Sequence, residues 1–264
     1  MRPQPIRNAD LRRVRAVFTD VDGTLTTGNQ LQSPTLAAME DLQRNGIRVV
    51  LVSGRPSGWG ECWMRTLPVD GAIVENGALY YARNARGEVA KVFAQPAAVR
   101  KKNRARLIRE LQAVLRRVPG ARLSTDSVQT EVDLAIDYNE QVKLGEKAAA
   151  AVEKLVRQRG ITAVRSSVHV NCWIGGFDKL SAVRRFIRKQ WRWGARAEST
   201  CIYVGDSFND APMFRAFALS VGVANLNDVI DRIDSAPSFV TEGREGRGFE
   251  ELVRQILVQR GARR

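Results

Sequence analysis

Two aspartates two residues apart, Asp20 and Asp22, stand where an apolar run from Val14 to Phe18, with Arg15 inside it, gives way to Gly23. If residues 14–19 form a buried strand, Asp20 lies at its carboxyl end and the side-chain period of two turns Asp22 towards the same side. In an open α/β sheet that edge is where ligands bind. Neighbouring anions repel, so the pair needs a cation or a shared proton to offset the cost. Magnesium prefers carboxylate oxygens and keeps several waters, and it fits such a place. A solvated acidic turn would show the same spacing, so the pair gains its meaning from three later segments.

The first is Val49-Val50-Leu51-Val52 running into Ser53, Gly54 and Arg55. A serine hydroxyl and the backbone N–H groups after it suit phosphoryl oxygens, and a helix opening near Pro56 adds its positive dipole end. The second is Lys179, at the start of an amphipathic helix with Leu180, Val183, Phe186 and Ile187 at its apolar positions. A lysine in a first turn opposes the helix dipole, a conflict that an anion in front of it would remove. The third is Cys201-Ile202-Tyr203-Val204 leading into Gly205-Asp206-Ser207-Phe208-Asn209-Asp210. Here Asp206 would face the same edge as Asp20, with Asn209 and Asp210 at the start of the next helix. Taken singly, these could be a helix cap, a surface lysine and a capping arrangement. Their order and their placement at strand ends make coincidence a poor explanation.

Together the four segments resemble the motifs of the haloacid dehalogenase superfamily of phosphohydrolases. D-x-D-G-T falls at Asp20 to Thr24, the serine of motif two at Ser53, the lysine of motif three at Lys179, and G-D-x-x-N-D runs through Asp206, Asn209 and Asp210. The resemblance extends from about Arg15 to the last helix. It implies cleavage of a phosphate ester through an aspartyl-phosphate, with Asp20 as nucleophile and Asp22 as general acid, then base. It further implies that Ser53, Gly54, Lys179 and Asn209 surround the phosphoryl group. Magnesium would sit among Asp20, Asp22, Asp206 and Asp210, with Asp210 acting directly or through water. Such chemistry suits these residue types. Covalent catalysis by a carboxylate divides one hard step into two, and phosphoryl transfer asks mainly for in-line positioning and charge neutralisation.

The elements that must position these residues alternate. A helix from Ser33 to about Asn45 precedes a strand at 47–52, a helix from about Pro56 to Thr66 and a short strand at 71–74. After Gly176 come a helix, a strand at 201–204, a helix at 208–216, a strand at 218–223, a short helix, a strand at 238–240 and a final helix. This rhythm predicts a parallel, doubly wound α/β sheet with helices on both faces.

The middle of the chain has another texture: a long basic helix over 97–117, strands at 121–125 and 131–138, a helix over about 143–159 and a strand over 161–174. This predicts an inserted α+β domain over 83–175 between two core segments, 1–82 and 176–264, hinged near 82 and at Gly175-Gly176. By position it is similar to the type-two cap of the superfamily, in the IIB subtype of sugar-phosphate phosphatases, mannosyl-phosphoglycerate phosphatases and phosphomannomutases. In those relatives an E-N-G like that at Glu75 to Gly77 occurs near the substrate, which makes Asn76 a candidate contact. Read as one strand, Ser166 to Trp173 would put Ser167, His169 and Asn171 on one face, suited to hydroxyls or a carboxylate. A solvent-facing surface would alternate in the same way. Asp133 and Asp137 are candidates for sugar hydroxyls, and Arg55 for the phosphate or the leaving group. Trp191 and Trp193 read as packing.

The 264-residue chain is 44% hydrophobic and has no unbroken apolar segment of membrane-spanning length. No secretory h-region follows Met1, and Cys62, Cys172 and Cys201 lack metal or framework spacing. A cytoplasmic protein with reduced thiols is expected. The single histidine, His169, excludes any mechanism that needs two. The net charge of +14 divides as +1 over 1–82, +9 over 83–175 and +4 over 176–264. Its densest run, Arg100 to Arg106, reads first as a solvated helix face and second as steering for anionic substrates. Few aromatics accompany it, which argues against nucleic acid as a partner. The expected partner is therefore a small phosphorylated metabolite, a sugar phosphate or a phosphorylated hydroxy-acid. A phosphomutase would use the same residues, and a basic binding protein on this scaffold is the alternative from another class. Oligomeric state is not encoded in these patterns.

Overall fold

The computed structural model describes residues 2–166 and 168–261. Its larger sheet has nine strands, ordered Gln4–Pro5, Phe239–Val240, Leu219–Gly222, Cys201–Gly205, Ala16–Thr19, Arg48–Val52, Gly71–Val74, Leu79–Arg83, Val89–Phe93. Neighbours are parallel as far as Gly71–Val74. The last two strands turn back antiparallel as a hairpin. The sheet is thus mainly parallel, as the alternation of elements predicted, with an antiparallel hairpin added at one edge.

The central strands are apolar on both sides because both faces are covered. Val17, Val49, Leu51, Ile202 and Val204 face one cluster, which takes in Met39, Leu42, Met64, Phe249 and Leu252 from helices Ser33–Arg44, Ser57–Thr66 and Glu245–Gln259. Phe18, Val50, Val52 and Tyr203 face the other, with Val183, Phe186, Met213 and Phe214 from helices Lys179–Gln190 and Ala211–Ala216. Trp191 and Trp193 pack against this second cluster, with the Arg15 guanidinium 3.9 Å from the Trp193 ring centre.

A second, four-stranded antiparallel sheet lies between these halves in sequence, ordered Thr162–Arg165, His169–Trp173, Leu134–Asp137, Arg122–Leu123. Helices Ala97–Leu115 and Gly145–Arg157 cover one of its faces, where Leu107, Leu111, Val152 and Val156 pack on Ile136, Val170 and Cys172. Two details differ from the sequence expectation. The strand expected over 161–174 is a hairpin: it turns at Ser166, whose backbone N–H bonds back to the His169 carbonyl at 2.9 Å. The break between the two sheets also falls after Phe93 rather than near residue 82, because Asn84 and Gly87 make a tight turn that returns Val89–Phe93 to the larger sheet.

The basic run is partly internal. Arg100 donates to the Gln95 carbonyl at 2.8 Å and lies over the Phe93 ring. Arg104 donates to the carbonyls of Ser127, Thr130 and Asp133. Lys101 and Lys102 are exposed. Cys172 and Cys201 are buried free thiols and Cys62 is an exposed one. Among the described residues no helix is long and apolar enough to cross a membrane.

Candidate active site

Strand geometry delivers the acidic residues to one place. Ala16–Thr19 lies beside Cys201–Gly205 in parallel register, so Asp20 and Asp206 leave adjacent strands at the same sheet edge. A capping box then turns the chain, in which Ser207 and Asp210 exchange bonds, and Asp210 swings back beneath Asp206. Single carboxylate oxygens of Asp20, Asp206 and Asp210 lie within 4.8 Å of one another, and all three residues are buried.

Lys179 reaches this group from the first turn of its helix, which is capped by Asp178 and Ser181. Its buried ammonium donates to Asp20 Oδ1 at 3.1 Å and to Asp210 Oδ1 at 2.9 Å. The conflict with the helix dipole is thereby met by two carboxylates. Burial alone would lower the lysine pKa, but Asp20 and Asp210 outweigh it and raise it above its ordinary value. Burial also raises Asp20 to about 7, with Lys179 opposing the rise and Asp210 and Asp22 adding to it. Asp206 is pushed well above the carboxylate range, first by burial and then by Asp20 and Asp210. Three buried carboxylates facing one lysine leave excess negative charge, so the donor set fits a hard divalent cation.

Each carboxylate is held by neighbours. Asp210 is held at both oxygens: Oδ1 also accepts from the Tyr203 hydroxyl at 2.5 Å, and Oδ2 accepts from the N–H groups of Asp206 and Ser207 at 3.0 and 3.2 Å. Asp206 accepts from the Thr24 hydroxyl at 3.2 Å and from Asn225 Nδ2 at 3.0 Å. Asn225 also donates to the Gly23 carbonyl at 2.9 Å, tying the two acidic loops together. Gly23 has φ +77°, and a Cβ there would lie 2.6 Å from Asp206 Oδ2, so only glycine permits this approach.

Ser53 follows the Arg48–Val52 strand, and its hydroxyl accepts from the Arg55 N–H at 3.0 Å. Ser53, Gly54, Asp20, Asp22 and Asn209 border one small space of about 30 Å³ between the two sheets. That is room for one or two waters. The Asn209 side chain accepts from the Ser207 hydroxyl at 2.7 Å.

The Asp22 carboxylate, expected among the cation ligands, lies outside the cluster of Asp20, Asp206 and Asp210. The Arg55 fork takes it instead, Nε and Nη2 lying 2.9–3.2 Å from its oxygens. Arg55 Nη1 continues to Glu140 at 3.0 Å, across to the smaller sheet's unit. His169 and Asn171 face the space from that side, as their shared strand face predicted, while Val170 and Cys172 point into the smaller core. His169 Nε2 lies 3.0 Å from Glu140 Oε2 at an angle that makes no hydrogen bond. Ser167 lies outside the described residues. Asp133 borders the space, and burial together with Glu75 raises its pKa well above the usual range. Asp137 instead caps a turn, accepting from the N–H groups of Asn139, Glu140 and Gln141.

Asn76 sits one layer beneath the lining, its Nδ2 donating to Asp133 Oδ2 at 2.9 Å. Its neighbour Glu75 is fully buried and accepts four backbone N–H bonds, from Ser57, Glu131, Val132 and Asp133. Both residues have positive φ, 48° and 54°, a cost that this network offsets. Glu75, Tyr203 and Asn225 were not singled out from the sequence. Asn225 could have been found by the rule that found the others, since it is a polar residue just past the end of a strand.

These features define an α/β fold with a buried acidic centre at a parallel sheet edge. Residues 17–105 match the family model described as haloacid dehalogenase-like hydrolase. A phosphoglycolate phosphatase of Methanosarcina acetivorans is 26% identical over 250 residues, covering 91% of this chain and 96% of its own. The solved structure of Thermoplasma acidophilum 0175 superposes with a TM-score of 0.71 at 20% identity, covering 92% of this chain and 98% of its own. A structure described as a subclass IIB sugar phosphatase gives 0.63 at 16% identity, with coverage of 91% and 98%. Over residues 17–105, and in overall fold, the chain is similar to the haloacid dehalogenase-like hydrolases.

Proposed function

We propose that this protein is a magnesium-dependent phosphoric monoester hydrolase acting on a small phosphorylated metabolite, a sugar phosphate or a phosphorylated hydroxy-acid. The observation that carries this reading is the meeting of Asp20, Lys179, Asp206 and Asp210, from three distant segments, around one buried point. The names of the relatives, a phosphoglycolate phosphatase and a sugar phosphatase, support the substrate range.

In this reading an Asp20 oxygen attacks phosphorus and the bond to the alcohol oxygen breaks, leaving phosphate on Asp20. Asp22, fixed at the rim by Arg55, gives the departing alcohol its proton. It then takes a proton from water, which attacks the aspartyl-phosphate and restores the carboxylate. Lys179, the Ser53 hydroxyl and the N–H groups after Ser53 stabilise charge on the equatorial oxygens. Asp20, Asp206 and Asp210 would hold magnesium, with Asp210 chiefly fixing Lys179 and the Asp206 loop. The ion supplies charge neutralisation between Asp20 and the incoming phosphate.

Residues from about 94 to 175 act as a cap. The space they close over is too small for a sugar phosphate, so they swing away to admit substrate, pivoting near 94–96 and 174–178. Closure excludes water until the alcohol has left.

Rapid quenching with radiolabelled phosphate ester, followed by peptide mapping, tests the central step. Label is expected on the peptide containing Asp20 and none in Asp20→Asn, which should not turn over. Steady phosphate release with no label ever found on that peptide would refute the covalent route. Conversion of the ester into an isomer without phosphate release would indicate a mutase.

A further inference from the structure

The leaving-group end of the site has an unbalanced charge. The smaller sheet's unit presents Asp126 and Glu140 to the space between the sheets or to the arginine at its rim. Among the described residues that border it, Arg55 is the sole arginine or lysine. Its guanidinium is already shared: Asp22 at 2.9 Å, Glu140 at 3.0 Å and Asp126 at 3.6 Å. The other polar groups on that side are the Asn171 carboxamide, the Ser166 and Thr130 hydroxyls, and His169, itself beside Glu140.

We propose that Glu140 and Asp126 form a charge gate at the leaving-group end, which admits phosphate esters of uncharged polyhydroxy alcohols and rejects those whose alcohol bears a carboxylate. The inference rests on the phosphatase reading and narrows it. A carboxylate on the leaving group would have to displace an acid already bound to Arg55, or lie unpaired against Asp126 and Glu140 in a closed site. Both are costly where water is excluded. Hydroxyls fit the same surface well. They donate to carboxylate oxygens of Asp126 and Asp133 and accept from Asn171, and they leave the Arg55 network intact. The phosphoryl end keeps its own donors at Ser53 and Lys179, so the discrimination acts on the alcohol alone.

A matched pair isolates this. Glycerol 3-phosphate and 3-phosphoglycerate share a skeleton and differ by a CH2OH in place of a carboxylate. With magnesium, kcat/KM is expected to be at least tenfold higher for glycerol 3-phosphate. Glu140→Gln and Asp126→Asn should each narrow that ratio at least threefold, mainly through a lower KM for 3-phosphoglycerate. Because each ratio compares two substrates on one protein, a loss of folded enzyme cancels. Equal efficiency on the pair in the native enzyme, or a ratio unmoved in both variants, overturns the gate while leaving the phosphatase reading standing. Failure to hydrolyse either compound and an aryl phosphate as well overturns both.

Discussion

Replacing Glu75 with glutamine tests the joint between the two units most directly. Oε1 accepts from Ser57 N at 3.0 Å and Glu131 N at 2.9 Å, and Oε2 accepts from Val132 N at 2.7 Å and Asp133 N at 3.1 Å. The amide keeps the shape but one of its ends becomes a donor, so either orientation leaves two buried N–H groups facing an NH2. An unsatisfied buried donor costs about 1–3 kcal/mol, and two cost about 2–6 kcal/mol. Against this stands relief from burying a carboxylate, whose pKa burial raises despite the four N–H bonds. A net destabilisation of about 2–4 kcal/mol remains. Urea unfolding should show a lower midpoint with an unchanged m-value. Native-state hydrogen exchange should show the amides of Glu131, Val132 and Asp133 losing protection first, and Asp133 loosening at the substrate space. A midpoint within about 0.5 kcal/mol of the native protein, the usual range for an uninvolved surface site, with those amides still protected, would refute the reasoning.

Lys179→Met should lower kcat by about 100-fold or more, the scale of losing one oriented charge donor. Leaving Asp20 and Asp210 without their partner should also cost about 3–5 kcal/mol in thermal or urea unfolding. Gly23→Ala places a Cβ against Asp206 at a positive φ. It should cost about 1–2 kcal/mol in stability and weaken magnesium binding measured by calorimetry. Asn225→Ala should likewise weaken magnesium binding, with little change in unfolding midpoint, because the amide aligns Asp206 with Gly23. In the metal-free protein the raised pKa values of Asp20 and Asp206 mean that the folded state binds more protons than the unfolded state. Stability with chelator should therefore fall as pH rises from about 4 through about 7. The increase in Tm on adding magnesium should be larger at pH 8 than at pH 5, and an equal increase would refute the charge argument.

Much of this architecture follows from local pattern. Apolar runs ending in Asp20, Ser53 and Asp206 are strands buried on both faces, and a buried parallel strand can end at a ligand edge only on its carboxyl side. Those three residues were therefore legible together, as was Lys179 from its conflict with a helix dipole. The alternation from His169 to Cys172 gave the orientation of its strand, since a period of two divides core from open face. The same pattern did not reveal the turn at Ser166, because a hairpin and one long strand share that period. Nor did it reveal that Val89–Phe93 belongs to the larger sheet, for pairing between strands is a long-range fact.

Side chains whose partners lie far away in sequence were decided by tertiary structure alone. The pairing of Asp22 with Arg55 and of Asn76 with Asp133 is of this kind. Glu75 and Tyr203 carry no signal of their roles in the sequence, because each acts through bonds that exist only after the chain has closed on itself. Spacing along the chain specifies where a strand ends and which way a side chain leaves it. Which charge or donor meets it there depends on the packing of segments that are not neighbours in sequence.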